Sequence, residues 1–262
     1  MNPNLSLVGE APAALHLHLH GYPRAGAGGR ALPLRLRHGF ALLALLAERG
    51  RPVARDELVA LLWPDAAPGA ARARLRRLLH ELQLQVGQPV ADGDAQVLAL
   101  ARGWHCDLHA TRCAMQAGDW RALLAPQAAE LMSGFTIPGG AFDDWLDGCR
   151  REHRAALARA LERAARALVG ADAGDADAAE ALGLALLRLE PCAEAGHGAL
   201  MWARAQRHDG AGVEAAYFAA AEALRGEYGI APSPRLEALY AAARERIAGP
   251  ALALAASGRL RL

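Results

Sequence analysis

The sequence predicts a mainly α-helical chain: a small antiparallel β-sheet and a wing hairpin frame three N-terminal helices, and an all-α half of paired helices follows. Three features carry that prediction: polar and apolar residues alternate over 15–37, a short helix breaks from an arginine-studded one over 55–87, and helical periodicity runs nearly unbroken from residue 111.

Residues 15–37 read LHLHLHGYPRAGAGGRALPLRLR, two alternating segments joined by a glycine-rich bend. Alternation at period two describes half-buried strands, with Leu15, Leu17 and Leu19 facing a core and His16, His18 and His20 forming a row toward solvent. A first helix spans 39–49 and ends at Gly50, with Pro52 beyond it. The second spans 55–63. Ala54 before it offers no capping side chain, and Pro64 stops it because proline breaks the hydrogen-bond ladder. On the third helix Ala71, Leu75, Leu78, Leu79 and Leu82 recur at the spacing of one buried stripe. Arg77 points almost directly away from that stripe, flanked by Arg74, Arg76 and His80. Arginine suits both phosphate oxygens and the O6/N7 edge of guanine, so this face is a candidate for nucleic acid. Gly87 ends the helix, and VADGDAQVLAL (90–100) predicts a hairpin turning at Asp92-Gly93. Sheet, helices and hairpin together make a winged helix-turn-helix over residues 13–110, in which the third helix enters the major groove and the hairpin lies along the backbone. Arg102 is the basic residue placed to help that wing.

Beyond residue 111, helices are expected over 120–132, 142–169, 175–190, 193–208, 212–228 and 233–247, broken by glycines and prolines between them. The last four read as two helix pairs, with 179–191 echoed by 214–232, which is a tetratricopeptide-like pattern suited to docking. This second domain spans 111–247, and 248–262 are expected to be a disordered tail. On that division a fragment of residues 1–110 should fold alone.

The 29 basic residues are all arginine and stand against 28 acidic ones, which excludes a chain coated in positive charge. The excess is local: residues 1–110 hold 12 Arg and 9 acidic residues, and 69–87 hold four Arg and one Glu. No apolar run is long enough for a membrane span, the N-terminus shows no leader, and the four cysteines form no CxxC pair, so a reducing cytoplasm is expected. The run HCDLHATRC places Cys106, His109 and Cys113 within eight residues, with His105 or Cys149 as a fourth group. That spacing matches no established zinc pattern, and neither metal nor cofactor is expected. Catalysis is not expected either, since no Ser-His-Asp order with a nucleophile elbow, no glycine-rich phosphate loop and no HExxH occurs.

The string VARDELVALLWPD (53–65), then ARARLRRLLHEL (71–82) and CDLHATRC (106–113), resembles the OmpR/PhoB-type winged-helix domain of the SARP group of bacterial transcriptional activators. FDDWLDGCRREH (142–153), ALLRLEPCAEAGHGALM (185–201), AAYFAAAEALRGEYGIAPS (215–233) and LEALYAAARER (236–246) are similar to the bacterial transcriptional activator domain (BTAD) that follows it in that family. The resemblance covers roughly residues 13–247. It implies an activator that binds repeated sites in double-stranded promoter DNA, forms a homodimer at least on DNA, and contacts RNA polymerase. Carried over position by position, the DNA face is Arg72, Arg74, Arg76, Arg77 and His80. Two positions depart from the family. Leu82-Gln83 stands where the family has Leu-Arg, so Gln83 either reads an adenine edge or leaves a phosphate contact unmade. Ala54 replaces a serine, costing about 1 kcal/mol of capping. Within the set Arg77, farthest from the leucine stripe, is expected to read a base, and Arg72, nearest to it, to hold a phosphate. The alternative is a tetratricopeptide-like interaction scaffold or ligand sensor whose winged helix has degenerated.

Overall fold

The computed structural model describes residues 14–125, 130–169 and 175–257. The chain divides into two units, residues up to 113 with 130–152, and residues 114–129 with those from 153 on.

In the first unit β1 (Leu15–His18) buries Leu15 and Leu17, and Leu19 just beyond it, as the alternation requires. Its partner is not the second alternating segment. β2 (Arg24–Ala27) comes from the glycine-rich stretch itself and pairs antiparallel with β1, Leu15 opposite Ala27. Gly28 and Gly29, with φ of 54° and 79°, supply the two consecutive left-handed positions that reverse the chain into β3 (Arg30–Ala31). Residues 32–36, expected as strand, then run irregularly into the first helix. The other edge of the sheet is β7 (Trp104–Cys106), parallel to β1 with His16 opposite His105, giving the order β3-β2-β1-β7. The expected histidine row is also broken: His16 is exposed and His18 half-buried, but His20 is buried.

α1 (Arg37–Arg49) buries every residue from Gly39 to Ala47 and stops at Gly50, whose N–H returns to the Leu46 carbonyl at φ 59°. β4 (Val53–Ala54) leads into α2 (Arg55–Leu62), which has no side-chain cap, as Ala54 foretold. α3 (Pro68–Val86) begins on proline, where the missing N–H costs nothing, and ends at left-handed Gly87. It buries Ala71, Leu75, Leu78 and Leu82; Leu79 is only half-buried.

β5 (Ala91–Gly93) and β6 (Val97–Leu100) form the hairpin, in a second sheet of order β4-β6-β5. Its turn is not Asp92-Gly93 but Asp94-Ala95-Gln96. The Asp94 carboxylate accepts from the Gln96 and Val97 amides at 2.7 and 2.9 Å, an Asx turn that outcompetes the Asp-Gly dipeptide. Gly93 instead sits in the strand at φ 151°, where a Cβ would lie 2.2 Å from the Val97 carbonyl oxygen.

α4 (Asp107–Ala117) and the short α5 (Trp120–Leu123) follow. The helix expected over 120–132 ends at α5; residues 126–129 lie outside the described residues, and the chain after them is a turn through Met132 and Gly134, both at positive φ. Leu131, Met132, Phe135 and Ile137, with Phe142 and Leu146 of α6 (Ala141–Val169), are buried in the same core as β1 and α1. This returning segment is why the boundary does not fall at residue 110: hydrophobic side chains from 131–146 complete the first unit. Arg150 ties it down, donating to the Leu131 and Met132 carbonyls at 2.9 and 2.5 Å.

The second unit is all helix: the end of α4, α5, most of α6, α7 (Ala176–Leu189), α8 (Glu194–Gln206), α9 (Gly210–Tyr228) and α10 (Pro234–Ser257). α8 packs against α7, α9 and α10 in a tetratricopeptide-like stack. Asp175 and Asp209 cap α7 and α9, and Gly229 ends α9 in the left-handed region. Where α7 meets α8, a Cβ on Gly183 would stand 2.8 Å from the Gly196 carbonyl, so the two backbones approach too closely for any larger residue. The tail expected from residue 248 is helical as far as Ser257, and 258–262 lie outside the described residues, as does the stretch before residue 14. No helix among the described residues is long and apolar enough to cross a membrane.

Candidate nucleic-acid interface

α3 carries a buried stripe of Ala71, Leu75, Leu78 and Leu82. Against the buried stripe stand Arg72, Arg74, Arg76, Arg77, His80 and Gln83, all exposed. The sequence-predicted helical face is therefore assembled as a surface, and guanidinium groups on successive turns offer donors to phosphates or base edges.

The arginines differ in what surrounds them. Arg72 is held by Asp56 of α2: Nε donates to one carboxylate oxygen at 2.9 Å and Nη2 to the other at 2.8 Å. Arg74 lies on the opposite flank, near His38. The His38 ring stacks on Trp63 with centroids 5.2 Å apart and planes within 7°. Burial lowers the His38 pKa, and the nearby Arg74 charge adds to that, while a backbone hydrogen bond with Leu62 opposes it. Arg76, with Arg72 and Leu79, lines an open groove of about 960 Å³ between α3, the start of α2 and the hairpin turn.

The far wall of that groove is fixed by Arg55. Its Nε donates to the Asp94 carbonyl at 2.8 Å, and its backbone N–H donates to the Gln96 carbonyl at 2.8 Å. The Asp94 carboxyl is held below its usual range first by the Gln96 amide and then by the Val97 amide. The wing turn is thus latched to α2 beside α3. Sequence reasoning missed both Arg55 and Asp56. They open a helix, and sixteen positions separate Asp56 from Arg72, so no periodic pattern links them. Arg102 is exposed but stands at the other end of the hairpin from the turn, its backbone N–H donating to Asp92 at 3.3 Å.

The Cys106, His109 and Cys113 run is not brought to one point. Cys106 is buried and its thiol is pushed up to about 11 by burial. His109 Nε2 is committed to the Ala47 carbonyl at 2.5 Å, and Cys113 is exposed. Burial, and then the Glu48 charge, push Cys149 up to about 12. Among the described residues no three such groups are placed to hold a metal ion.

No family model matches the chain, and no curated protein matches it. Among solved structures it is similar to Mycobacterium tuberculosis EmbR in complex with a low-affinity phosphopeptide, at 21% identity and a TM-score of 0.57, over 92% of this chain and 71% of that one. The likeness is one of fold: a small β-containing N-terminal region followed by an all-α domain.

Proposed function

We propose that the chain is a sequence-specific DNA-binding transcriptional regulator of the SARP type, with α3 as the recognition helix. The observation that carries this reading is the exposed arginine face of α3 with the wing turn latched beside it. The fold likeness to EmbR, which shares the small β-containing N-terminal region followed by an all-α domain, is consistent with it. In this reading Arg72, Arg74, Arg76 and Arg77 contact DNA with His80 and Gln83, Arg102 adds a phosphate contact from the hairpin, and no catalytic step is involved. The helical half holds two copies together on repeated promoter sites and contacts RNA polymerase in the cytoplasm, activating transcription.

Selection of duplexes from a randomised library by the full chain tests it. One sequence should be enriched, and log K against log salt for that duplex should fall by about 0.9 per phosphate neutralised. A duplex carrying two copies should bind far more tightly than one copy, because the second contact becomes intramolecular. A chain that enriches no sequence is not a DNA reader. An apolar groove of about 420 Å³ lined by Met115, Trp120, Leu123 and Leu168 in the second unit would then favour the ligand-sensor reading.

A further inference from the structure

We infer that Arg72 reads a base rather than a phosphate, and that Asp56 is the residue that positions it to do so. The inference rests on the DNA-binding reading above and assigns a specificity-determining pair within it. The carboxylate of Asp56 takes the side edge of the Arg72 guanidinium, Nε at 2.9 Å and Nη2 at 2.8 Å. Two parallel bonds to a planar fork fix its orientation as a single bond cannot. They leave the end edge, Nη1 and the second Nη2 hydrogen, without a partner among the described residues. That edge is the bidentate donor pair that matches O6 and N7 of guanine.

Three further observations agree. Both side chains are solvent-accessible, Arg72 at 56% and Asp56 at 68%, so the pair adds little to folding stability and its geometry is available to a ligand. Arg72 is the fifth residue of α3, and the N-terminal residues of a recognition helix are those that reach base edges. An arginine already neutralised by a carboxylate is also a poor phosphate ligand, since the backbone oxygens would meet the Asp56 charge as well. Holding the guanidinium before DNA arrives removes part of the ordering cost that a free arginine bears on binding.

The test uses the full chain and the duplex it selects from a randomised library. Asp56→Asn keeps the size of the side chain and removes the charge, while Arg72→Lys keeps the charge and removes the fork. Both variants are expected to lose discrimination at the same single G·C pair, by about 5- to 150-fold. The slope of log K against log salt should stay at its wild-type value in both. Replacing that guanine by 7-deazaguanine removes one acceptor; it should weaken wild-type binding and have no further effect on either variant. Two outcomes overturn the proposal: Arg72→Lys binding every duplex as wild type does, or Arg72→Ala weakening all duplexes equally and lowering the slope by about 0.9, as loss of a phosphate contact does. If Asp56→Asn retained full discrimination, Asp56 would not be the positioning residue. A wild-type chain that selects no duplex removes the DNA-binding reading itself, which is a separate and distinguishable failure.

Discussion

His20 Nδ1 and Asp107 Oδ2 lie 3.4 Å apart, joining the end of the first strand to the start of α4. The same carboxylate accepts from the Leu19 amide at 2.8 Å and from the His20 amide at 3.1 Å. One side chain thus satisfies two backbone donors at a point where the strand leaves its sheet, and it does so from 88 residues away in sequence.

Asp107 therefore makes the fold acid-sensitive. Burial works against its ionisation, but the His20 side-chain bond and the Leu19 amide outweigh that and hold the carboxyl below its ordinary value. A depressed carboxyl stabilises the fold above the ordinary carboxylate range, and that contribution is lost as pH falls through the depressed value. Thermal unfolding followed against pH should show an acid limb that Asp107→Asn flattens. At neutral pH the same substitution should cost about 1–3 kcal/mol, because the one oxygen of the carboxamide cannot serve both amides and the NH2 group meets the other as a second donor.

Gly93→Ala should destabilise the hairpin by at least about 1–3 kcal/mol, the cost of a glycine-only backbone conformation, with the Val97 carbonyl adding a clash. Denaturant midpoints of the variant and the parent chain measure it. An unchanged midpoint would mean that the 94–96 turn does not fix the strand register.

Arg77→Ala and Arg102→Ala should differ in kind. The first is expected to cost about 1–3 kcal/mol on the selected duplex and to relax preference at one base pair. Arg102→Ala should lower the salt slope by about 0.9 and leave sequence preference intact. Binding isotherms on the selected duplex and its point variants, at several salt concentrations, separate the two.

A fragment of residues 1–110 should not unfold cooperatively, whereas residues 1–152 should. The shorter piece lacks Phe135, Ile137, Phe142 and Leu146, all buried in the first core. At about 2–5 kcal/mol for each large side chain, their combined loss is as large as the whole stability of an ordinary domain. Circular dichroism melts of both fragments decide it.

The helices were legible because their signals are local. The stripe of Ala71, Leu75, Leu78 and Leu82 and the glycines at 50 and 87 lie within a few turns of what they control. β7 was not legible, since a three-residue parallel strand has no alternation long enough to detect and its partner lies almost ninety positions earlier. Nor was the return of 131–146 to the first core: Phe135 and Ile137 look the same in sequence whichever core they join. The same limit applied to the interface. The arginines of α3 could be read from one helix, but what distinguishes Arg72 from Arg77 is a carboxylate on another.

The crossing of the chain between its two units sets an order on synthesis. Translation has delivered α3 and the hairpin by residue 100, before Phe142 and Leu146 have been made. The N-terminal half cannot close as an independent unit ahead of the rest, as the first domain of a nascent chain usually does. As its last core residues emerge, residues 114–125 are already exposed, while Leu157, Leu161, Leu182 and Leu186, which complete their core, follow behind. A stretch of translation exists in which the arginine face is complete and its scaffold is not, so partial products from premature termination in that window should be targets for proteolysis.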